Sequence, residues 1–155
     1  MSIQFTALRT DIVRALQSGA VDANGQSPEV HVAREGALPC RHCLRTIAAG
    51  ERYLVLAHRP FPAPQPYAEM GPIFLHAEPC ARGGGSAEIP AFLGSPSYIV
   101  RGYGANDRIV YGTGQVVPTP EIPALAERLL ARDGIAYLHV RSASNNCYHC
   151  RIDRV

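Results

Sequence analysis

Two stretches of the chain repeat apolar residues at helical spacing. The first runs from Leu8 to Ser18, and Gly19 follows it. The second runs from Glu121 to Arg132, with three leucines on one side, and Gly134 follows shortly after. Apolar residues three or four positions apart form one face of an amphipathic helix, and glycine is common just beyond the last turn. The pattern therefore predicts two main helices.

Short apolar runs bounded by glycine, proline or asparagine predict strands over much of the remaining chain. A hairpin turn is predicted at residues 104–106, between two such runs. The predicted strands cover residues 30–33, 52–57, 72–77, 97–103, 107–117 and 135–140, with a last element over 147–155. Hairpin-linked strands with two helices favour an α+β fold, and the length favours one domain over residues 1–155 built on a mostly antiparallel sheet.

One segment between predicted strands is rich in proline. Prolines stand at positions 60, 62, 64, 66 and 72. Because proline lacks an amide donor and has a fixed backbone angle, the segment predicts a long proline-rich loop on the surface. Such a loop is a candidate contact surface. A second break, "RGGGS" at residues 82–86, predicts a flexible segment.

Composition and charge narrow the classes of function. The 155 residues are 46% apolar and 18% charged, with a net charge of +2 and scattered arginines, so we expect no nucleic-acid partner. The chain contains no lysine, which excludes Schiff-base and phosphate-loop lysine chemistry. No apolar run approaches the roughly 18 residues of a membrane span, and no secretory leader pattern opens the chain. The expected compartment is the cytoplasm, without a membrane partner.

Four of the five cysteines lie in two C-x-x-C units. Cys40 and Cys43 have the spacing of a zinc knuckle, and "HAEPC" supplies His76 and Cys80 further along the chain. Three cysteines and one histidine are a complete ligand set for structural zinc. In folds with this ligand order a helix follows the second pair, whereas glycines follow Cys80 here.

The cysteine pattern leaves other interpretations open. Cys147 and Cys150 form an alternative four-cysteine set with Cys40 and Cys43. The cysteines can also pack as small apolar residues without metal, which is a common role for reduced cysteine. A third interpretation is a thiol-redox switch at Cys147 and Cys150, near the chain end.

Polar residues on two predicted strands suggest a second site. His139 and Arg141 are two positions apart and share a strand face, as do Arg101 and Tyr103. If the strands are neighbours, these four side chains and Glu69 form a candidate pocket for an anion or carboxylate. A hydrated sheet face, or an arginine paired with Glu69 or Asp107, is the competing interpretation.

The remaining histidines carry weaker signals. His42 and His149 lie inside the two C-x-x-C units and are expected to be solvated loop residues. His31 and His58 lie in or beside apolar strands, where a hydrogen-bonded structural histidine is the usual arrangement.

Several segments resemble a bacterial family known as domain of unknown function 1203. They are, in order, "PCRHCL", "GERYLVLAHRPF", "PYAEMGPIFLHAEPC", "YIVRGY" and "AYLHVRSASNNCYHC", and the resemblance spans about Phe5 to Val155. The resemblance implies a small soluble bacterial protein in which the cysteine segments and the "PYAE" loop are family features. It implies no activity and no catalytic residue.

The leading hypothesis is a binding or regulatory module with a structural zinc cluster at Cys40, Cys43, His76 and Cys80. The alternatives are a small enzyme with a polar pocket on the sheet face and a thiol switch at the C-terminal cysteine pair. The sequence indicates no particular substrate or partner.

Overall fold

A computed structural model describes residues 2–155 of the chain. It contains ten strands and two α-helices, with one 3-10 turn at Thr119–Glu121 leading into the second helix. The elements in chain order are β1 (Ile3–Thr6), α1 (Thr10–Gln17), β2 (Glu29–Val32), β3 (Leu38–Pro39), β4 (Thr46–Ile47), β5 (Arg52–His58), β6 (Gly71–His76), β7 (Ser97–Tyr103), β8 (Gln115–Pro118), α2 (Ile122–Leu130), β9 (Tyr137–Ser142) and β10 (Tyr148–Arg154).

The strands form two main sheets and a small hairpin. The large sheet has the order β1-β10-β9-β7-β8, the small sheet has the order β2-β5-β6, and β3 pairs with β4. Every pair of named strands is antiparallel. The expected α+β fold, with mostly antiparallel sheet and two helices, is confirmed. Within residues 2–155 no helix is long and apolar enough to cross a membrane.

Helix α2 covers one face of the large sheet. Its Leu125, Leu129 and Leu130 are almost completely buried, as the leucine spacing predicts. They share a core with Val100 of β7 and Val140 of β9, which are directly paired across the two strands. The opposite face of this sheet therefore carries the alternate residues, and these include the candidate polar pocket.

Helix α1 packs against the small sheet and makes a second core. Val13 and Leu16 of α1 are buried against Leu54 of β5 and Leu75 of β6. Pro72 lies in β6, the edge strand, where its missing amide donor costs no ladder hydrogen bond.

One strand prediction needs correction, and three short strands, β1, β3 and β4, are covered by no prediction. The predicted strand over 107–117 is observed only at its end, as β8, because residues 107–114 form an irregular loop. The buried hydroxyl of Thr113 accepts a hydrogen bond from the Gly102 amide, which occupies that donor of β7. Strand β1 was not predicted, since four residues carry little periodic signal and its pairing with β10 spans nearly the whole chain.

The proline-rich loop is less peripheral than predicted. It connects β5 to β6, but Phe61 is 6% exposed and packs over the polar face of the large sheet. The Phe61 ring centroid lies 5.3 Å from that of Tyr103 and 5.2 Å from that of His139. The loop therefore covers this face of the sheet.

The glycine segment is tightly held rather than loose. The Gly85 amide donates to the Phe5 carbonyl at 2.8 Å, and the Phe5 amide donates to the Ser86 carbonyl at 2.9 Å. These bonds cover the outer edge of β1, which would otherwise present unpaired backbone groups. Glycine is needed at Gly84, because a Cβ there would lie 2.3 Å from the Phe5 carbonyl oxygen.

His149 is buried, contrary to the expected solvated loop position. It lies in β10 at a register shift between Tyr148 and Cys150, and its ring is 5.2 Å from that of Tyr98. Burial lowers the pKa of His149 to about 4, with a smaller contribution from the charge of Arg41. The residue is 7% exposed and donates from Nδ1 to the Cys147 carbonyl, so the neutral ring is a core residue.

We expect Gly84→Ala to destabilise the fold by about 1–3 kcal/mol, because the added carbon meets backbone and the residue has a positive φ of 80°. Gly94→Ala is the matched control, since a Cβ at Gly94 meets nothing within 4 Å. Urea unfolding of both variants measures the difference. Equal midpoints for the two variants would show that the close approach at Gly84 is not a constraint.

We expect His149→Gln to reduce the loss of stability in mild acid. The ordinary pKa is 6.5 and the folded pKa about 4, so only the unfolded chain gains a proton between these values. The stability is complete above pH 6.5 and declines as the pH falls towards 4, by about 2 kcal/mol between pH 7 and pH 5. Urea unfolding at both pH values tests this. The exposed His31→Gln is the control, and a wild-type pH slope in His149→Gln would contradict the assignment.

Candidate metal centre

A tight turn between β3 and β4 brings Cys40 and Cys43 together. The Leu44 amide donates to the Cys40 carbonyl at 3.0 Å, and Leu44 adopts a positive φ of 58° that reverses the chain. The Cys40 amide donates to the Arg45 carbonyl at 3.0 Å. We call residues 39–44 the knuckle segment.

The other two side chains come from the end of the small sheet. His76 is the last residue of β6, and Cys80 follows four positions later. An isolated backbone β-bridge between Cys40 and Phe74 places the knuckle segment beside β6. The His76 amide donates to the Cys40 sulfur at 3.4 Å. This contact also fixes the position of the knuckle segment relative to the end of β6.

The four potential ligand atoms converge. Those of Cys40, Cys43, His76 and Cys80 all lie within 4.8 Å of one another. The Cys40 and Cys80 sulfurs are 4.0 Å apart, and the Cys43 sulfur is 3.5 Å from Nδ1 of His76. Tetrahedral zinc with ordinary bond lengths separates two sulfurs by about 3.8 Å and sulfur from nitrogen by about 3.6 Å. The observed separations agree with both values.

Surrounding side chains orient the cluster. Nε2 of His76 contacts a carboxylate oxygen of Glu51 at 2.8 Å, which leaves Nδ1 directed at the sulfurs. His42 lies between Thr10 and Cys80: Nε2 is 2.9 Å from the threonine hydroxyl, and Nδ1 is 3.1 Å from the sulfur. His42 is fully buried, so the expected solvated position is wrong. Its ring instead lies inside the protein, in contact with the Cys80 sulfur of the cluster.

The three thiols of the cluster differ in the direction in which their pKa values are shifted. Hydrogen bonds from the Cys43 and Cys80 thiols hold the pKa of Cys40 far below its ordinary value. The same bonds raise the pKa of Cys43 and of Cys80, because each thiol donates to the Cys40 sulfur. The cluster therefore already favours a thiolate at its most buried member, which is the form that binds metal.

Solvent reaches one side of the cluster. Cys40 is fully buried, whereas Cys43 and Cys80 are partly exposed beside a cleft of about 430 Å³. No helix follows Cys80, as its glycines predict, and the Gly83 amide instead donates to the His42 carbonyl at 2.9 Å.

The alternative four-cysteine set is not assembled. Cys150 points into the core between the large sheet and α2, and Cys147 lies in the turn before β10. Neither belongs to the converging group. Burial raises the pKa of the Cys150 thiol well above its ordinary value, so this residue remains a protonated core thiol and is a poor redox partner.

The five residues of the candidate polar pocket do come together. Arg101 and His139 are directly paired across β7 and β9, and the Tyr103 and His139 rings are 4.5 Å apart. Arg101 donates to the Tyr103 hydroxyl at 2.8 Å and to Glu69. Arg141 contacts the same Glu69 oxygen at 3.2 Å. We call these five residues the polar cluster.

His139 is held neutral within the polar cluster. It is 1% exposed, and burial, followed by the charge of Arg141, holds its pKa well below the ordinary value. Its Nδ1 accepts from Arg141 at 3.3 Å, which leaves the proton on Nε2. Of the two acidic partners that the competing interpretation offered to an arginine, Glu69 accepts from Arg101, whereas Asp107 accepts from Tyr137 at 2.8 Å.

The fold and the site define an α+β protein in which three cysteines and one histidine converge at a spacing compatible with a metal ion. Residues 37–154 match the family model described as "Protein of unknown function (DUF1203)", and the chain belongs to this family. The resemblance inferred from the sequence is thereby confirmed. Comparisons with curated proteins and with solved structures gave no match.

Three contributors to the site escaped the sequence analysis. Glu51 and Thr10 were not singled out, and His42 was assigned to solvent. Glu51 precedes β5, whose register with β6 places Tyr53 opposite His76, so a correct sheet pairing would have suggested the contact. No local pattern connects Thr10 with His42, because 32 positions separate them.

Proposed function

We propose that this protein is a cytoplasmic binding or regulatory module whose scaffold is held by a structural zinc ion at Cys40, Cys43, His76 and Cys80. The observation that carries the proposal is the convergence of four ligand atoms within 4.8 Å. Thiolate and imidazole together suit zinc, and four protein ligands leave no open position for a reacting water. A reducing cytoplasm would keep the five free cysteines available.

The environment of the cluster supports a structural role. Glu51 orients His76 in the carboxylate–histidine arrangement common around zinc, and the partly exposed sulfurs give an entry path. The knuckle segment touches both cores, since Cys40 packs with the small sheet and Leu44 with the large sheet. A metal ion there would hold the knuckle segment, and with it Leu44, against the end of the small sheet.

The rival functions receive less support. A thiol switch needs an accessible pair, and Cys150 is 1% exposed. An enzyme needs a reactive group poised towards a substrate, whereas the arginines of the polar cluster are paired with Glu69 and the cluster histidine is buried and neutral. Binding at the face roofed by the proline-rich loop is the function that these contacts favour.

We expect protein purified without chelator to contain about one zinc per chain, measured by elemental analysis together with a count of reactive thiols. Cys80→Ser should lose the metal and much of the stability, because it removes one of four ligands. Cys147→Ser, outside the cluster, is the matched control and should keep the metal. Metal-free wild-type protein with five titratable thiols would end the zinc proposal.

We expect Glu51→Gln to weaken zinc binding about 10- to 100-fold, since it removes the carboxylate that fixes the His76 ring. Glu78→Gln is the control, because Glu78 lies nearby but pairs with Arg52 at the surface. Competition with a chromogenic chelator measures both affinities. Equal zinc affinities in the two variants would show that the Glu51 carboxylate does not contribute to zinc binding.

A further inference from the structure

A second cleft lies beside the polar face of the large sheet, and none of the four converging side chains of the metal centre lines it. Its volume is about 220 Å³, slightly below the range of most ligand pockets, so it suits a small molecule. Its walls combine apolar and basic side chains, among them Pro60, Met70, Tyr148, His58 and Arg141, with Glu69 at its margin. The proline-rich loop and the turn before β10 form its rim.

Arg141 is the central feature of this cleft. Its side chain is 3% exposed, and its terminal nitrogens contact Glu69, His139 and the Asn146 carbonyl. Its Nε has no hydrogen-bond partner within residues 2–155, and neither has Nε2 of His58 on the same wall. A buried polar atom without a partner is costly, and a ligand in the cleft is one way to supply that partner.

The charges around the cleft do not balance. Arg101 and Arg141 share one oxygen of Glu69, so two guanidinium groups face a single carboxylate. The histidines do not change this count: burial lowers the pKa of His58 to about 4, and His139 is also neutral. Among residues 2–155, Glu69 is the one acidic side chain in ion-pair contact with either arginine. One positive charge therefore remains uncompensated.

Glu69 has the properties of a side chain whose carboxylate a ligand could replace. It belongs to the proline-rich loop, and its side chain is 41% exposed while that of Arg141 is 3% exposed. Its second oxygen has one long contact, 3.5 Å from the Asn146 side-chain nitrogen. A carboxylate so placed can swing into solvent without disturbing the core, leaving two arginines in a geometry that already holds a carboxylate.

We propose that this cleft binds a small carboxylate with a short apolar body, whose carboxylate replaces that of Glu69 on Arg101 and Arg141. The apolar body would lie against Pro60, Met70 and Tyr148. This inference deepens the proposed binding role and rests on it, but it does not depend on zinc. A carboxylate is favoured over a phosphate because the two arginines already share a carboxylate oxygen of Glu69. The short apolar body is matched by Pro60 and Met70 in a wall that also carries polar side chains.

The test is calorimetric titration of the full-length, zinc-loaded protein with butyrate, with butyramide as the neutral isostere and inorganic phosphate as the competing anion. We expect saturable binding of butyrate and none of butyramide. Glu69→Gln should tighten butyrate binding about tenfold, because the ligand no longer competes with an internal carboxylate. Arg101→Gln should weaken it about tenfold or more. Glu127→Gln, on the exposed side of α2, is the matched control and should bind as wild type.

Three results would overturn the proposal: no saturable butyrate binding in Glu69→Gln, equal binding of butyramide, or tighter binding of phosphate than of butyrate. Circular dichroism and zinc content, measured on each sample, separate these results from a failure of the zinc centre. If the Glu69→Gln variant is folded and zinc-loaded but does not bind butyrate, only the proposed carboxylate site is overturned. Folded, metal-free protein that binds butyrate overturns the zinc centre alone.

Discussion

The arrangement of both sites depends on the buried knuckle segment. Arg41, 2% exposed, donates from Nε to the Tyr148 carbonyl at 2.8 Å and thereby joins the turn to β10 of the large sheet. Its neighbour Cys40 packs with the small sheet, and Leu44 packs with the large one. Burial lowers the pKa of Arg41 to about 10, which still leaves it charged at neutral pH. Nε and one terminal nitrogen of this buried guanidinium donate to the Tyr148 and Pro39 carbonyls, and a shift of the turn that removed these acceptors would leave a buried charge without them.

The junction also relates the two candidate sites. Tyr148, whose carbonyl accepts the hydrogen bond from Arg41, also lines the second cleft. The same segment contributes Cys40 and Cys43 to the four converging side chains, and its His42 is fully buried and contacts the Cys80 sulfur. The molecule therefore combines a cysteine–histidine cluster at the end of the small sheet with a cleft lined by Arg141 and His58.

Much of the architecture follows from local patterns. The leucine spacing of α2, the apolar alternation of β7 and the proline content of the loop each reflect constraints acting within a few residues, and each prediction agrees in type with the structure. Two of the differences between the predicted and the observed strands have a common cause. Strand β1 depends on β10, and the irregular path of residues 107–114 depends on the buried Thr113 hydroxyl bonding Gly102. Both are decided by partners distant in sequence, which no periodicity reports.

The sequence by itself determined the chemistry: which thiols, imidazoles and guanidiniums were present, and that Cys40 and Cys43 could face one point. It also placed Arg101 with Tyr103, and His139 with Arg141, on single strand faces. Only the tertiary structure decided that His76 and Cys80, rather than Cys147 and Cys150, meet the first pair. It likewise decided that His42 and His149 are buried. The reason is physical, because backbone geometry fixes neighbours within a turn or strand, whereas contacts across 30 or more positions depend on how the sheets pack.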